Sequence, residues 1–326
     1  MQQYSKIAAI EYYVPKEIIS NATLAKAFDS TEESILETTG IYKRHKTPAN
    51  ELSSDLAVKA AEKLFLIYPE LRTQIDFLIF CTQSIDQPSP ATSCLIQTRL
   101  KLNKSIGSID IGHGCSGFMY CLSIAKALIE CNQVKNVLIL TAETLTKYLA
   151  SNDKSTRYLF GDAGCATWVS TSNTPKIGNF TFGTDGSGAD TMYCKYRSLR
   201  HPINDENDLN YFKMNGFNVL AFSLKEVQKL FQDIISKNHL TSDLSEIDWI
   251  VLHQASKIVL ESLQKKLKYP TEKYLFSLEQ FGNTVSSSIP ITLKYNMENS
   301  LIKENNHLLL AAFGVGFSWC GTVIYL

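Results

Sequence analysis

The residue best suited to act as a nucleophile is Cys115, which lies in the segment Asp110–Phe118 (DIGHGCSGF). A short β-type run over 105–111 precedes it, and apolar periodicity predicts a helix over 116–131. The thiol would then lie at a helix N-terminus, where unpaired backbone N–H groups and the helix dipole favour a thiolate. A structural cysteine at a tight turn fits the same pattern, so this segment alone leaves both interpretations open.

Two other residues carry side chains suited to hydrogen-bond or proton chemistry. His253 follows a buried-type strand, and Asn283 lies between a glycine and a threonine. Each also has an ordinary structural interpretation. His253 could be a core histidine at a strand end, and Asn283 could be the N-cap of a helix that begins at Thr284. Their function depends on whether the fold brings them to Cys115.

A faint internal repeat divides the chain into two halves. Two pairs of segments resemble each other at almost the same separation along the chain: 74–84 with 246–256, and 135–140 with 306–311. A period of half the chain indicates a duplicated domain rather than a solenoid. We therefore predict an N-terminal half over 1–171, which carries the cysteine, and a C-terminal half over 172–326, which carries the histidine and the asparagine.

The repeat also predicts a meeting point for the candidate residues. Cys81 aligns with His253, and the Cys115 turn corresponds roughly to Gly282–Thr284. Corresponding turns in two packed halves should face each other across the junction. Cys115, His253 and Asn283 are therefore expected to converge, although they are far apart in sequence.

Each half alternates buried-type strands with amphipathic helices, which is typical of layered α/β structure. Strands are predicted over 5–12, 76–82, 105–111, 136–142 and 164–170, then over 177–183, 248–253, 307–312 and 317–325. Helices are predicted over 53–66, 92–101 and 116–131, then over 216–237, 257–268 and 285–298. The polar segment 197–215 is expected to form a surface excursion near the mouth of a site.

Composition argues against several classes of function. The 32 basic and 32 acidic residues cancel, so no charge excess favours nucleic-acid binding. The apolar runs are too short to span a bilayer, and the first residues lack a signal-peptide pattern. The eight cysteines include no C-x-x-C pair, so neither zinc nor a disulfide framework is indicated. This cysteine usage predicts a cytoplasmic protein without a metal.

Seven segments, in one order, resemble the ketoacyl-acyl-carrier-protein synthase III family of the thiolase superfamily. They are Thr39–Arg44 (TGIYKR), Asp110–Phe118, Phe160–Gly164 (FGDAG), Thr184–Gly188 (TDGSG), His253–Ala255 (HQA), Gly282–Thr284 (GNT) and Ala312–Trp319 (AFGVGFSW). The resemblance runs nearly end to end. It implies an α/β protein with a thiolase-like five-layered αβαβα fold made of two pseudo-duplicated halves, which forms a homodimer.

The resemblance implies that Cys115, His253 and Asn283 are catalytic. A thiolate would attack an acyl thioester and form an acyl-cysteine. A malonyl thioester would then lose CO₂, and neutral imidazole and amide donors suit the resulting enolate oxygen. By alignment, the oxyanion formed in the condensation would be bound by the backbone N–H groups of Cys115 and Val315. The family has no catalytic histidine at His113, which is interpreted as a turn residue.

Several positions depart from the family's pattern. The family often holds coenzyme A with a tryptophan and two arginines, and the aligned residues here are Ser34, Lys154 and Thr38. Serine cannot stack on adenine and lysine stacks less well than arginine, so Lys154 is the remaining candidate for a coenzyme A contact. A bulky residue of the dimer mate commonly limits the acyl pocket. Its aligned position is Ser89, which leaves more room.

The predicted helix after His253 carries part of the family's basic docking surface. Lys265 and Lys266 match a basic pair, while Ile258 stands where an arginine is usual, with Lys257 beside it. Such charges suit the acidic helix of an acyl carrier protein and its phosphopantetheine arm. A solvated helix face is the alternative interpretation of the same lysines.

Three functions stay open on sequence alone. The first is decarboxylative condensation of an acyl thioester with malonyl carrier protein, in fatty-acid or related acyl-chain biosynthesis. The second is an acyltransferase that passes the acyl group to a hydroxyl or amine of a small molecule, since one fold can support both. The third is a non-catalytic partner subunit, against which the intact Cys, His and Asn argue. Acyl thioesters of coenzyme A or of a carrier protein would be substrates, and no permanently bound cofactor is expected.

Overall fold

Two mixed β-sheets organise the chain. In the computed structural model, which describes residues 3–195 and 210–326, the sheets have corresponding strand orders. The first contains, from edge to edge, β1 (Tyr4–Tyr13), β7 (Ala163–Ser172), β6 (Asn136–Glu143), β4 (Phe77–Cys81) and β5 (Gly107–Ile111). The second contains β8 (Thr181–Thr184), β13 (Ser318–Tyr325), β12 (His307–Gly314) and β11 (Trp249–Leu252).

The register of these strands repeats between the two sheets. β4 runs parallel to β6 with Phe77 opposite Val137, and β11 runs parallel to β12 with Trp249 opposite Leu308. β6 pairs antiparallel with β7, the next strand along the chain, and β12 pairs antiparallel with β13 in the same way. These paired segments are the ones that the sequence repeat aligned, so the duplication is visible in the hydrogen-bonding pattern. A domain boundary between residues 171 and 172 stays a prediction.

Helices cover the outer faces of the sheets and fill the space between them. On the outside of the first sheet lie α3 (Ser53–Ile67) and α5 (Thr92–Arg99), and on the outside of the second lie α8 (Gly216–Lys237) and α9 (Lys257–Leu267). α6 (Gly117–Glu130) and α11 (Ser288–Glu298) pack between the sheets. The result is the predicted five-layered αβαβα arrangement.

The central helices are apolar because they are covered on several sides. α6 buries Phe118, Met119, Leu122 and Ile129, and these join one core cluster with residues of both sheets. By contrast, α8 has one apolar face against the second sheet and a charged face toward solvent, as expected of an outer-layer helix. Packing in the middle layer therefore fixes the N-termini of α6 and α11, beside which Cys115 and Asn283 lie.

Several shorter elements were not predicted from the sequence. They are β2 (Glu17–Ser20), α1 (Asn21–Ala27), α2 (Glu32–Thr39), β3 (Lys43–Lys46), α4 (Leu71–Gln74), α7 (Lys154–Arg157), β9 (Met192–Tyr193), β10 (Lys213–Met214) and α10 (Leu278–Phe281). Most of the excursion predicted over 197–215 lies outside the described residues.

Two predicted boundaries were wrong. The helix predicted over 285–298 begins as an α-helix only at Ser288, because Val285–Ser287 forms a 3₁₀ turn. Val285 has a positive φ of 53°, which is unusual for a β-branched residue. A residue with this backbone conformation cannot belong to a regular α-helix, so α11 begins after it. The strand predicted over 177–183 is limited to Thr181–Thr184, and Ile177 makes only an isolated bridge to Ile324.

Candidate active site

Cys115 lies two residues before the first residue of α6 and lines a cavity of about 680 Å³. Its side chain is 8% exposed, and burial raises the pKa of the thiol to about 12. The backbone N–H of Val315 faces the sulfur and lowers the pKa of the same thiol, but its effect is smaller. Burial thus opposes ionisation of this thiol, because it removes the charged form from water. The favourable effect of the helix N-terminus on a thiolate stays a prediction.

Close packing around the cysteine depends on two glycines. A Cβ on Gly314 would lie 2.6 Å from the Cβ of Cys115 and 2.8 Å from its sulfur. A Cβ on Gly114 would overlap the side chains of Gln83 and Val315. Because real Cβ atoms do not approach other atoms so closely, these positions let the β12–β13 loop touch the nucleophile turn.

Two serines join that loop to the turn. The Ser116 and Ser318 hydroxyl oxygens are 2.7 Å apart, and the Ser318 hydroxyl donates to the Val315 carbonyl at 2.8 Å. The Ser318 proton is thereby committed to Val315, so Ser116 donates to Ser318. This chain of hydrogen bonds links α6 to the second sheet and holds the Val315 N–H toward Cys115.

His253 directly follows β11 and is 2% exposed. Burial lowers the pKa of its imidazole to about 3, so the ring is neutral. Its Nδ1 lies 2.7 Å from the hydroxyl oxygen of Ser288. Among the described residues this hydroxyl has no other hydrogen-bond acceptor. Donation from Ser288 to Nδ1 satisfies both groups and leaves the ring hydrogen on Nε2.

Asn283 lies on the same cavity and is held by its own side chain. Its Oδ1 accepts from the Val285 N–H at 2.9 Å, and its Nδ2 donates to the Ala255 carbonyl at 3.3 Å. Within the described part of the chain, the second hydrogen on Nδ2 has no acceptor. Asn283 does not cap α11 itself, whose N-cap residue is Ser287, but its Oδ1 binds the first N–H of the 3₁₀ turn that leads into α11.

A buried carboxyl group that sequence reasoning missed connects the two sides of the site. Glu143, at the end of β6, is fully buried and accepts hydrogen bonds from the Ser84 hydroxyl at 2.8 Å, the Ser286 hydroxyl at 3.1 Å and the Gln83 N–H at 3.1 Å. Burial raises the pKa of Glu143 to about 7. Ser286 follows Asn283 in the second half, so Glu143 helps to set the position of both turns.

The cavity has apolar walls and a polar mouth. Most of its walls are made by Leu145, Phe160, Met192, Phe212, Met214, Val219, Leu220, Val259 and Phe313. Its exposed lining includes Ser34, Thr38 and Lys154, so the three positions expected near coenzyme A lie at the mouth. The Lys154 ammonium lies 5.4 Å from the centre of the Tyr158 ring and makes a cation–π contact with it.

The remaining predicted residues lie away from the nucleophile. Lys265 and Lys266 are exposed in the last turn of α9, whose first turn reaches the cavity through Ile258. Lys257 is half-buried and lies 3.9 Å from Glu261. Ser89 is exposed and does not line the cavity of its own chain.

His113, beside the nucleophile, does not face the cavity either. Its ring stacks on Tyr120 with centroids 4.4 Å apart. Residues 3–195 and 210–326 contain no group of three or more His, Cys, Asp or Glu side chains that could hold a metal ion. Over the same residues, no helix is long and apolar enough to cross a membrane.

Comparison with known proteins agrees with this arrangement. Two models of 3-oxoacyl-[acyl-carrier-protein] synthase III match the chain, the general model over residues 109–186 and the C-terminal model over 236–326. The first covers the Cys115 turn, and the second covers His253, Asn283 and Val315. The two matches thus contain the predicted catalytic residues and the two predicted oxyanion-hole positions, Cys115 and Val315.

Full-length relatives show the same likeness. The chain is 33% identical over 324 residues to β-ketoacyl-[acyl-carrier-protein] synthase III of Streptococcus equi subsp. zooepidemicus, covering 98% of this chain and 99% of the relative. A solved 3-oxoacyl-(acyl-carrier-protein) synthase III is 37% identical, with a TM-score of 0.96, and the match covers 99% of this chain and 100% of the other. The β-ketoacyl-[acyl carrier protein] synthase III of Thermus thermophilus is 32% identical, with a TM-score of 0.90 and coverages of 98% and 99%. The chain therefore has the thiolase fold and belongs to the 3-oxoacyl-[acyl-carrier-protein] synthase III family.

Proposed function

We propose that this enzyme forms an acyl thioester on Cys115 and condenses it with malonyl carrier protein, with loss of CO₂, in fatty-acid or related acyl-chain biosynthesis. The observation that carries the proposal is the convergence of Cys115, His253 and Asn283 on one cavity, in a member of this family. The acyltransferase class follows from the family.

Acylation exchanges one thiol for another. The Cys115 sulfur attacks the acyl carbonyl, the bond to the carrier thiol breaks, and the proton lost by Cys115 is balanced by the proton gained by that thiol. The resting thiol is neutral, so the attacking thiolate is a transient species. The N-terminus of α6 and the Val315 N–H lower its free energy at that moment.

Condensation requires hydrogen-bond donors that stay neutral. When the malonyl thioester loses CO₂, negative charge develops on its carbonyl oxygen, and the Nε2–H of His253 and the free Nδ2–H of Asn283 can both donate to it. The low pKa of His253 keeps the ring neutral at every physiological pH. The enolate carbon then attacks the acyl-cysteine. The new oxyanion accepts from the N–H groups of Cys115 and Val315, and its collapse expels the Cys115 thiolate.

The same geometry favours condensation over transfer to a hydroxyl or amine. Such a transfer needs a general base that removes a proton from the acceptor. The Ser288 hydroxyl occupies Nδ1 of His253 and leaves Nε2 as a donor. The histidine is thus arranged to stabilise a developing negative charge and not to accept a proton.

We propose a carrier protein as the preferred acyl donor. Ser34 and Thr38, at the mouth, offer neither a stacking surface nor a positive charge for coenzyme A, and Lys154 is left as its single predicted contact. Lys265 and Lys266 are exposed on the helix whose first turn reaches the cavity, with Lys257 at its start. An acidic carrier helix on α9 could therefore direct its phosphopantetheine arm toward Cys115.

A homodimer is the expected assembly, and the free edge of the first sheet supports it. Among the strands of residues 3–195 and 210–326, β5 pairs only with β4. Ile109 on β5 is 41% exposed. A second copy would cover an apolar sheet edge of this kind and could bring its exposed Ser89 to the acyl pocket. The free cysteines fit a cytoplasmic enzyme.

Intact-protein mass spectrometry tests the proposal. The enzyme is incubated with acyl thioesters of coenzyme A and of acyl carrier protein, and then with malonyl carrier protein. We expect an adduct on Cys115 that disappears as a 3-oxoacyl product and CO₂ form, and no adduct in Cys115→Ser. An adduct that persists in that variant contradicts the nucleophile. Transfer to water or to small hydroxyl compounds without release of CO₂ contradicts the condensation.

A further inference from the structure

A third polar side chain faces the cavity beside the nucleophile turn, and the mechanism above does not use it. Gln83 follows β4, and its backbone N–H is held by the Glu143 carboxyl at 3.1 Å. Its side chain lines the cavity, and its Oε1 packs against Gly114, the residue before Cys115. The anchored backbone and the contact with Gly114 together define where the carboxamide lies.

The Gln83 carboxamide has no hydrogen-bond partner among the described residues. The other two polar side chains beside the turn, His253 and Asn283, each use part of their hydrogen-bonding capacity within the protein. Gln83 is exposed and lines the cavity, so its amide is open to solvent. An acyl group on Cys115 that packs on the amide would separate it from solvent.

The position of the amide limits which part of an acyl group it can reach. Gln83 and Cys115 line the same cavity, and the Gln83 carboxamide packs on Gly114, the residue before Cys115. The amide is therefore placed to meet the first carbons of an acyl group on the Cys115 sulfur. A plain alkyl chain there would cover the amide and replace none of its hydrogen bonds. An oxygen on the first carbons beyond the carbonyl could accept from the amide or donate to it, which avoids that penalty.

We propose that Gln83 selects acyl groups that carry an oxygen substituent close to the thioester, such as 3-hydroxyacyl or 3-oxoacyl groups, over unsubstituted acyl groups of the same length. This inference rests on the acyl-cysteine proposed above and names the class of acyl group that it accepts. Gln83 is in this respect a specificity-determining residue that contacts the substrate.

The experiment compares butyryl-, 3-hydroxybutyryl- and 3-oxobutyryl-pantetheine as acylating agents, with the Cys115 adduct followed by intact-protein mass spectrometry. In the wild type, at least one oxygenated group should acylate about tenfold faster than butyryl, which corresponds to one hydrogen bond retained. Gln83→Leu, which keeps the approximate size and removes the amide, should bring that ratio to about one.

Gln133→Leu is the matched control, because Gln133 is exposed in the turn before β6 and lies outside the cavity. It should keep the wild-type ratio. Equal rates for all three groups in the wild type, or an unchanged ratio in Gln83→Leu, would overturn the assignment and leave the acyl-cysteine intact. Failure of every thioester to modify Cys115 would overturn both. Unfolding temperatures of the variants establish that a lost preference does not come from a lost fold.

Discussion

Gly314 and Cys115 come from different halves of the chain and touch at the centre of the site, so that a Cβ on Gly314 would lie 2.8 Å from the Cys115 sulfur. This contact places the loop that carries Val315 against the nucleophile. It also makes the position of the sulfur sensitive to a single methyl group.

Gly314→Ala should slow acylation of Cys115 by about a hundredfold, because moving a reacting atom by about 1 Å can cost that much. Gly112→Ala is the matched control, since a Cβ there meets nothing within 4 Å, and its rate should equal that of the wild type. Time-resolved mass spectrometry of the acyl adduct measures both. Wild-type acylation of Gly314→Ala would show that the contact does not position the sulfur.

His253→Ala and Asn283→Ala should each slow release of CO₂ from malonyl carrier protein by roughly 10²–10³-fold, the usual effect of losing one donor to a developing oxyanion. Both variants should still acquire the acyl group, because neither side chain is needed for thiol exchange. Release of CO₂ and the adduct mass are measured on the same samples. A normal condensation rate in Asn283→Ala would show that Asn283 does not act on the substrate and only stabilises the turn that follows it.

Lys265→Glu combined with Lys266→Glu should slow acylation from acyl carrier protein, most strongly at low salt, because exposed charges act mainly on association rate and are screened by ions. Acylation by small thioesters should not change. The control is Lys135→Glu with Lys303→Glu, which makes the same change in charge on exposed residues just before β6 and β12, far from Cys115.

A reaction with acyl-coenzyme A that is as fast as the reaction with the carrier-bound donor would contradict the proposed donor. An unchanged carrier-dependent rate in the double reversal would contradict the docking surface. The salt dependence of the wild-type rate, measured with both donors, separates these two outcomes.

Glu143 should make stability depend on pH. Its pKa is raised from 4.5 to about 7 in the folded protein, so between these values the folded state keeps a proton that the unfolded state has lost. The raised pKa of Glu143 therefore adds to the free energy of unfolding below about pH 4.5, and this addition is lost as pH rises through about 7. The addition is about 3 kcal/mol at most. Glu143→Gln removes the titration.

Urea unfolding at a series of pH values measures this effect as the free energy of unfolding of the wild type minus that of Glu143→Gln. The difference should fall as pH rises from about 4.5 to 7, whatever its absolute value. A difference that stays constant over this range would mean that the buried carboxyl group keeps an ordinary pKa.

The sequence alone was enough for the parts of this fold that depend on local periodicity and on repetition. Alternating buried strands and helices indicated the layers, and the internal repeat correctly aligned β4 with β11 and β6 with β12, because duplicated segments keep their hydrophobic pattern. The small residues around Cys115 indicated a strand-to-helix turn, and the order of the motifs indicated the family. Each of these signals is carried by neighbouring residues.

The tertiary structure decided what depends on residues that are distant along the chain. Ser288 sets the tautomer of His253, Glu143 joins the turns that carry Gln83 and Ser286, and Gly314 touches Cys115. The burial that raises the pKa of the Cys115 thiol also belongs here, since the helix N-terminus is visible in the sequence and the burial is not. Burial and long-range hydrogen bonds arise only when the two halves pack, so no local pattern of residue types could specify them.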